Sequence, residues 1–308
     1  MGAQTWPPNP PTLERGPAQP GRASIAVEIS LMNVGLLHPG DMGVAVGVSL
    51  RAGGARVLWA SEGRSASTRK RAEGAGLEDA RTVGDVVRGS EVIVSVCPPA
   101  SALDVARQVM AAKFSGLYVD GNAVSPATAR EVGTVVEEGG ATFVDGGIIG
   151  SPPTKRGQTR LYLAGAAAER AAALFSAGPL DAVVVDGKIG AASALKMAYA
   201  SWTKGSMALL MAVRALAMAE GVDEALIAEW QKSIPDLPQR SENAVKGTSR
   251  KAWRFVGEME EIADTYASVG LPRGFHEAAA EVYQRLARYK DTPAPPTVGE
   301  ASDALRGR

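Results

Sequence analysis

From residue 32 to about residue 187, short apolar runs take turns with stretches of helical period, and beyond that point the runs stop. Seven runs read as strands: Asn33–Leu37 and residues 55–60, 91–96, 116–119, 141–144, 160–164 and 182–185. Among the intervening stretches, residues 101–112 and 126–137 carry helical spacing. Strands separated by helices run mainly parallel, and a parallel sheet is covered by helices on both faces. Residues 188–221 then form one long stretch rich in alanine, leucine and methionine. Asp223 is placed to cap a following helix, and residues 250–268 and 275–289 continue the helical pattern. The chain thus reads as an α/β domain over 32–187 followed by an all-helical domain over 188–291.

Outside those bounds the composition changes. Residues 1–31 hold Pro7, Pro8, Pro10, Pro11, Pro17 and Pro20 without an apolar period, which predicts a disordered leader. Met32 stands directly before the first strand and is read as the natural start. Residues 292–308, rich in proline and small side chains, predict a flexible tail. The 33 basic and 33 acidic side chains cancel, which speaks against nucleic acid and anionic membranes as partners. No apolar run approaches the roughly 20 residues that span a bilayer. Cys97 is the one cysteine, so no internal disulfide forms, and a reducing, cytoplasmic setting is expected. No spacing of His, Cys, Asp and Glu suggests a metal, and His38 and His276 lie in no nucleophile-elbow context.

The first strand runs into His38-Pro39-Gly40-Asp41-Met42-Gly43 and then a helix. Strand, tight turn and helix are the context of the G-x-G-x-x-G dinucleotide fingerprint. Gly40 and Gly43 supply its second and third glycines, and His38 stands at the first. The backbone of His38, Pro39, Gly40, Asp41 and Met42 is expected to cradle a diphosphate at the helix N-terminus. His38 either touches phosphate or fills the turn. This makes the α/β half a Rossmann-type, nicotinamide-dinucleotide-binding domain.

The second strand ends at Ser61-Glu62-Gly63-Arg64-Ser65. An acidic residue there favours NAD, whereas a guanidinium with short hydroxyl donors suits the 2′-phosphate of NADP. Arg64 with Ser61 and Ser65 is the predicted 2′-phosphate site, so NADP is expected in preference to NAD. Arg69, Lys70 and Arg71 read as a largely solvated helix face.

Four segments, in order, carry a wider likeness. They are the first turn, Val94-Ser95-Val96-Cys97-Pro98-Pro99, Val119-Asp120-Gly121-Asn122, and Gly190-Ala191-Ala192-Ser193-Ala194-Leu195-Lys196. Together they resemble the β-hydroxyacid dehydrogenase superfamily of 3-hydroxyisobutyrate dehydrogenase, 6-phosphogluconate dehydrogenase and the imine reductases. Residues 252–262 and 274–280 resemble a subgroup with a 6-phosphogluconate-dehydrogenase-like C-terminal domain of unknown function. The resemblance implies an oxidoreductase that exchanges a hydride between NADP and a carbonyl or hydroxyl group. It makes Lys196 the general acid/base and Asn122 a polar substrate contact, with Cys97, Pro98 and Pro99 beside the cofactor. On the residues alone, Lys196 in its apolar helix is equally a depressed-pKa acid/base and a lysine snorkelling to water. Tyr199 and Thr203 follow Lys196 at helical spacing and are candidate substrate contacts with Ile149 and His276. Glu258 and Glu261 are further groups of the subgroup helices.

The chain departs from the family pattern twice. Asp145-Gly146-Gly147-Ile148-Ile149 stands where a serine-glycine-glycine substrate loop belongs, and Ala200 replaces the asparagine four residues after the lysine. A less polar pocket and a larger or less anionic substrate are expected. Two alternatives remain: an imine reductase-like enzyme, and a non-catalytic NADPH-binding protein. The apolar circumference of the long helix predicts a homodimer.

Overall fold

The computed structural model describes residues 32–308. The expected leader, 1–31, lies outside the described residues. An eight-stranded sheet has the order β3-β2-β1-β4-β5-β6-β7-β8. Its strands are β1 (Asn33–Leu37), β2 (Arg56–Trp59), β3 (Glu78–Asp79), β4 (Val92–Ser95), β5 (Leu117–Asp120), β6 (Thr142–Ile149), β7 (Thr159–Ala164) and β8 (Leu180–Val184). Every pairing is parallel except β6 with β7. The helices of this half are α1 (Asp41–Ala52), α2 (Ala66–Gly74), α3 (Val83–Arg88), α4 (Ala102–Ala111), α5 (Pro126–Glu138) and α6 (Ala168–Ala173). A Rossmann-type sheet followed by a helical region is the fold class the sequence predicts.

The strand runs read as unbroken apolar segments because both faces are covered. Val34, Leu36, Val92, Val94, Leu117 and Val119 face one core. Their neighbours Leu37, Ile93 and Tyr118 face the other. This is the period of two of a sheet buried on both sides. β3 escapes a sequence reading because its two residues are acidic and exposed.

The second half begins with the 29-residue helix α7 (Ala191–Ala219). It continues with α8 (Asp223–Ser233), α9 (Leu237–Thr248), α10 (Ala252–Ser268), α11 (Gly274–Leu286) and α12 (Val298–Leu305). Met197, Ala200, Met211, Met259, Ile262 and Tyr283 belong to their shared core. Helix α9 was not expected from its polar composition, yet Pro238 falls in its first turn, where a missing N–H costs nothing.

Three expectations need correcting. The tail is not loose over its length: Thr297 and Glu300 form a capping box, and Ala301, Ala304 and Leu305 of α12 are buried in the helical core. Asp223 does not cap α8. It is the helix's first residue, and its carboxylate accepts from the buried Arg214 guanidinium at 2.7 and 2.9 Å. No loop follows Asp145. β6 runs on through Gly146, Gly147, Ile148 and Ile149, paired antiparallel with β7.

Candidate active site

The strand order turns back at β1 and β4, so a crevice opens outside their C-terminal ends, the position where open parallel sheets bind ligands. The first turn forms one lip. His38 takes the left-handed conformation, φ 66°, that a glycine would otherwise supply. A Cβ on Gly43 would sit 2.3 Å from the His38 carbonyl oxygen, so that glycine lets helix meet strand. At Gly40, the N-cap of α1, a Cβ would meet nothing within 4 Å, and the helix N-terminus is open. The Met42 side chain packs on the sheet core, so only its backbone N–H faces the turn.

Behind the turn, Arg64 approaches His38. Burial and the Arg64 charge hold the His38 imidazole down to about 4, so it is neutral at physiological pH. His38 Nδ1 and Arg64 Nε are both buried without a hydrogen-bond partner. Ser61 is not free: its buried hydroxyl turns to the Asp79 carboxylate. Ser65 caps α2, accepting from the Thr68 N–H at 3.2 Å, and stays exposed. Arg71 is not purely solvated. It donates to the Pro39 carbonyl at 3.5 Å and pairs with Asp41 at 3.1 Å.

On the opposite lip, Asn122 is tied to the end of β4. Its Oδ1 accepts from the Cys97 N–H at 2.6 Å and its Nδ2 donates to Ser95 at 3.2 Å, so the amide braces the end of β4. The Cys97 thiol is buried, and burial with the Asp120 charge pushes it up to about 12, so it is not a reactive thiolate. Pro98 is exposed and Pro99 half-buried, which leaves them available to line the crevice. Asp120 is fully buried with one oxygen unpartnered, and burial foremost raises its carboxyl to about 7.

Lys196 sits where β6 meets α7. Asp145 on β6 accepts from the N–H groups of Gly190, Ala192 and Ser193 and from the Ser193 hydroxyl. It thereby supplies the cap that Gly190, at φ 100°, cannot. A Cβ on Gly147 would lie 2.9 Å from Lys196 Cβ and 2.8 Å from the Ala192 carbonyl, so α7 packs down on bare backbone. Burial lowers the Lys196 pKa to about 8. Ile149 shares the strand face of Asp145 and Gly147 and is buried.

The remaining candidates separate. Thr203 spends its hydroxyl on the Tyr199 carbonyl at 3.1 Å. It lines a cleft of about 250 Å³ with Trp202, Met207 and Arg240, and Lys196 is not part of that wall. Tyr199 is 49% exposed and belongs to an outer stripe. His276 is buried in the helical core, with Nε2 2.9 Å from the Ser201 hydroxyl and its ring against Tyr266. Ser201 lies about 140° around α7 from Lys196, so His276 is not brought to the lysine.

Sequence reasoning missed Lys204, about 80° around and two turns on from Lys196. Lys204 pairs with Glu258 of α10 and lies 4.5 Å from the Phe255 ring centroid. Burial and the like charge of Lys196 pull its pKa down. A second lysine two turns after Lys196 in an alanine- and leucine-rich helix was the available signal. Glu261, also on α10, accepts from the Ser125 N–H at 2.5 Å and the Thr128 hydroxyl at 3.0 Å, capping α5 from the helical domain.

Among the described residues no group of His, Cys, Asp and Glu is placed to hold a metal, and no helix is long and apolar enough to cross a membrane.

Residues 33–177 match the NAD binding domain of 6-phosphogluconate dehydrogenase, and residues 217–286 match a domain of unknown function, DUF1932. An uncharacterized 28.5 kDa protein encoded in the 7S RNA 5′ region of Methanothermus fervidus is 34% identical over 207 residues, 65% of this chain and 79% of that protein. A conserved protein of unknown function, described as structurally similar to 3-hydroxyacid dehydrogenases, superposes with a TM-score of 0.62 at 29% identity, over 84% of this chain and 98% of that one. The fold is also that of a Mycobacterium tuberculosis 3-hydroxyisobutyrate dehydrogenase bound to L-serine, with a TM-score of 0.65 at 17% identity over 90% of this chain and 99% of that one.

Proposed function

Because the chain belongs to the family that joins the NAD binding domain of 6-phosphogluconate dehydrogenase to a DUF1932 domain, it is a nicotinamide-dependent oxidoreductase, and we propose that it uses NADP to interconvert a hydroxyl and a carbonyl group with Lys196 as acid/base. The observation that carries this reading is Lys196, half-buried at the sheet–helix junction beside Gly147, where desolvation brings its pKa to about 8. The cofactor fits the crevice: the α1 N-terminus is open at Gly40, and two buried nitrogens, on His38 and Arg64, lack partners beside it. When bound, the nicotinamide supplies or accepts the hydride. Lys196 Nζ gives a proton to the oxygen that becomes an alkoxide on reduction and takes the hydroxyl proton on oxidation. Asp145 and Gly147 hold that nitrogen in place through α7. Lys204 with Glu258, one turn beyond Ala200, offers a polar contact where the family's asparagine is missing. An imine substrate would use the same proton donor; turnover of cyclic imines with none of any aldehyde or hydroxy acid would favour it.

The direct test is a screen of hydroxy acids, aldehydes and imines, followed at the nicotinamide absorbance with both cofactors. Binding of NADPH with no turnover of any class would favour the non-catalytic alternative. For cofactor choice, Arg64→Ala is expected to weaken NADPH about tenfold and leave NADH within twofold, since only the 2′-phosphate needs the guanidinium. Isothermal titration reads both, and equal losses would remove Arg64 from that role.

A homodimer is part of this reading. Leu195, Tyr199, Trp202, Leu209 and Leu216 are exposed on α7, Trp202 at 69%, and their steps of four, three, seven and seven residues keep them on one helix face. Light scattering is expected to give twice the chain mass, and Trp202→Glu to shift it toward monomer at micromolar protein. A monomeric wild type would contradict this.

A further inference from the structure

Helix α10 crosses the mouth of the crevice and touches both lips. Near its start, Arg254 Nη2 lies 3.7 Å from Asp41 Oδ2 on the first turn of α1. Seven residues on, Glu261 accepts from Ser125 and Thr128 at the start of α5. The same helix packs on the turn at Pro99–Ser101, which continues the second lip beyond Cys97 and Pro98.

Asp41 holds two arginines from opposite sides. Arg71 of α2 reaches it at 3.1 Å and also donates to the Pro39 carbonyl, while Arg254 comes from the helical domain. The Arg254 side chain is braced: its Cζ lies 5.1 Å from the Trp253 ring centroid, and Lys290 Nζ sits 4.3 Å from the same centroid. Asp41 directly follows Gly40, the open N-cap where a diphosphate would sit. All three charged side chains are a third to a half exposed, so their pairing is weak and exchangeable. A diphosphate carries more charge than one carboxylate and offers oxygens matched to guanidinium forks.

We infer that Arg254 is a cofactor-binding residue supplied by the helical domain, which with Arg71 passes from Asp41 to the diphosphate when the dinucleotide enters. Resting on the cofactor reading above, this makes α10 the cover of the crevice, fixed to one lip by Glu261 and drawn to the other by the cofactor. The contact is to the diphosphate, so it does not distinguish NADP from NAD.

The test is equilibrium binding of NADPH, NADH and 2′-AMP to the full chain. Arg254→Gln is expected to weaken both dinucleotides about tenfold and in parallel, and to leave 2′-AMP, which lacks a diphosphate, within twofold of wild type. Asp41→Asn is expected to tighten both dinucleotides severalfold, because a competing carboxylate is removed. Thermal melts without ligand check that each variant is folded. Dinucleotide affinities unchanged in Arg254→Gln, a loss confined to NADPH, or an equal loss for 2′-AMP would overturn the assignment. So would an Asp41→Asn protein that binds no tighter than wild type. A wild-type chain that binds neither dinucleotide would instead overturn the cofactor reading itself, and this inference with it.

Discussion

Lys196→Met is expected to lose at least about a hundredfold in turnover, the range ascribed to a positioned general acid/base, while binding NADPH as wild type does and melting at a higher temperature. The three readouts follow from one fact: the lysine is half-buried where α7 packs on β6, and desolvation lowers its pKa from its ordinary value to about 8. At neutral pH the folded protein holds a charge that burial disfavours. The unfolded chain binds more protons than the folded one between about pH 8 and the ordinary lysine value, so stability rises with pH across that window. Below it the charged lysine costs stability in full, and removing it should recover on the order of 1–3 kcal/mol at pH 7.

Activity should follow the same titration with opposite signs in the two directions. Reduction needs the ammonium, so kcat/KM for the carbonyl falls as pH rises through about 8. Oxidation needs the free amine and rises through the same value. A variant that loses activity and stability together would mark Lys196 as a packing residue. Turnover unchanged in Lys196→Met would remove it from the chemistry.

The sequence revealed what depends on local pattern. Strands β1, β4 and β5 were legible because a sheet buried on both faces imposes unbroken apolar runs such as Val92-Ile93-Val94. Lys196 was legible through the Gly190–Lys196 segment that carries the family resemblance, since α7 holds Lys204 and Arg214 as well and charge alone does not single it out. What depends on a partner distant in the chain was not. Asn122 has the chemistry of a substrate ligand, and that its amide also binds Cys97 and Ser95 is visible only when β4 and β5 lie side by side. Gly146 and Gly147 read as a loop. They are strand residues without side chains because the Asp120 carbonyl and Lys196 occupy that space. Pro293, Pro295 and Pro296 masked α12, although Thr297 and Glu300 carried its start signal. The pairing of Asp41 with Arg71 and Arg254 joins three segments, and no spacing announces it.

Asp145 makes the same point with the largest expected cost to the fold. It is a charged residue within an apolar strand, and its partners lie 45 to 48 residues later. Its two oxygens accept four hydrogen bonds, three from backbone N–H groups that begin a 29-residue helix. Asp145→Ala leaves those donors buried and unpaired and is expected to destabilise the protein by about 3–5 kcal/mol. The like charge it places on Asp120 is relieved by the same change, which offsets part of that loss. Asp145→Asn keeps one acceptor oxygen for the N–H groups and should cost less than half as much. Chemical denaturation measures both. In the asparagine variant, which stays folded, the start of α7 is less firmly held, and kcat should fall more than KM rises because Lys196 is displaced from the reacting oxygen. An Asp145→Ala protein as stable as wild type would show that α7 is held by its packing on Gly147 and the helical core, and that the carboxylate does not set the position of Lys196.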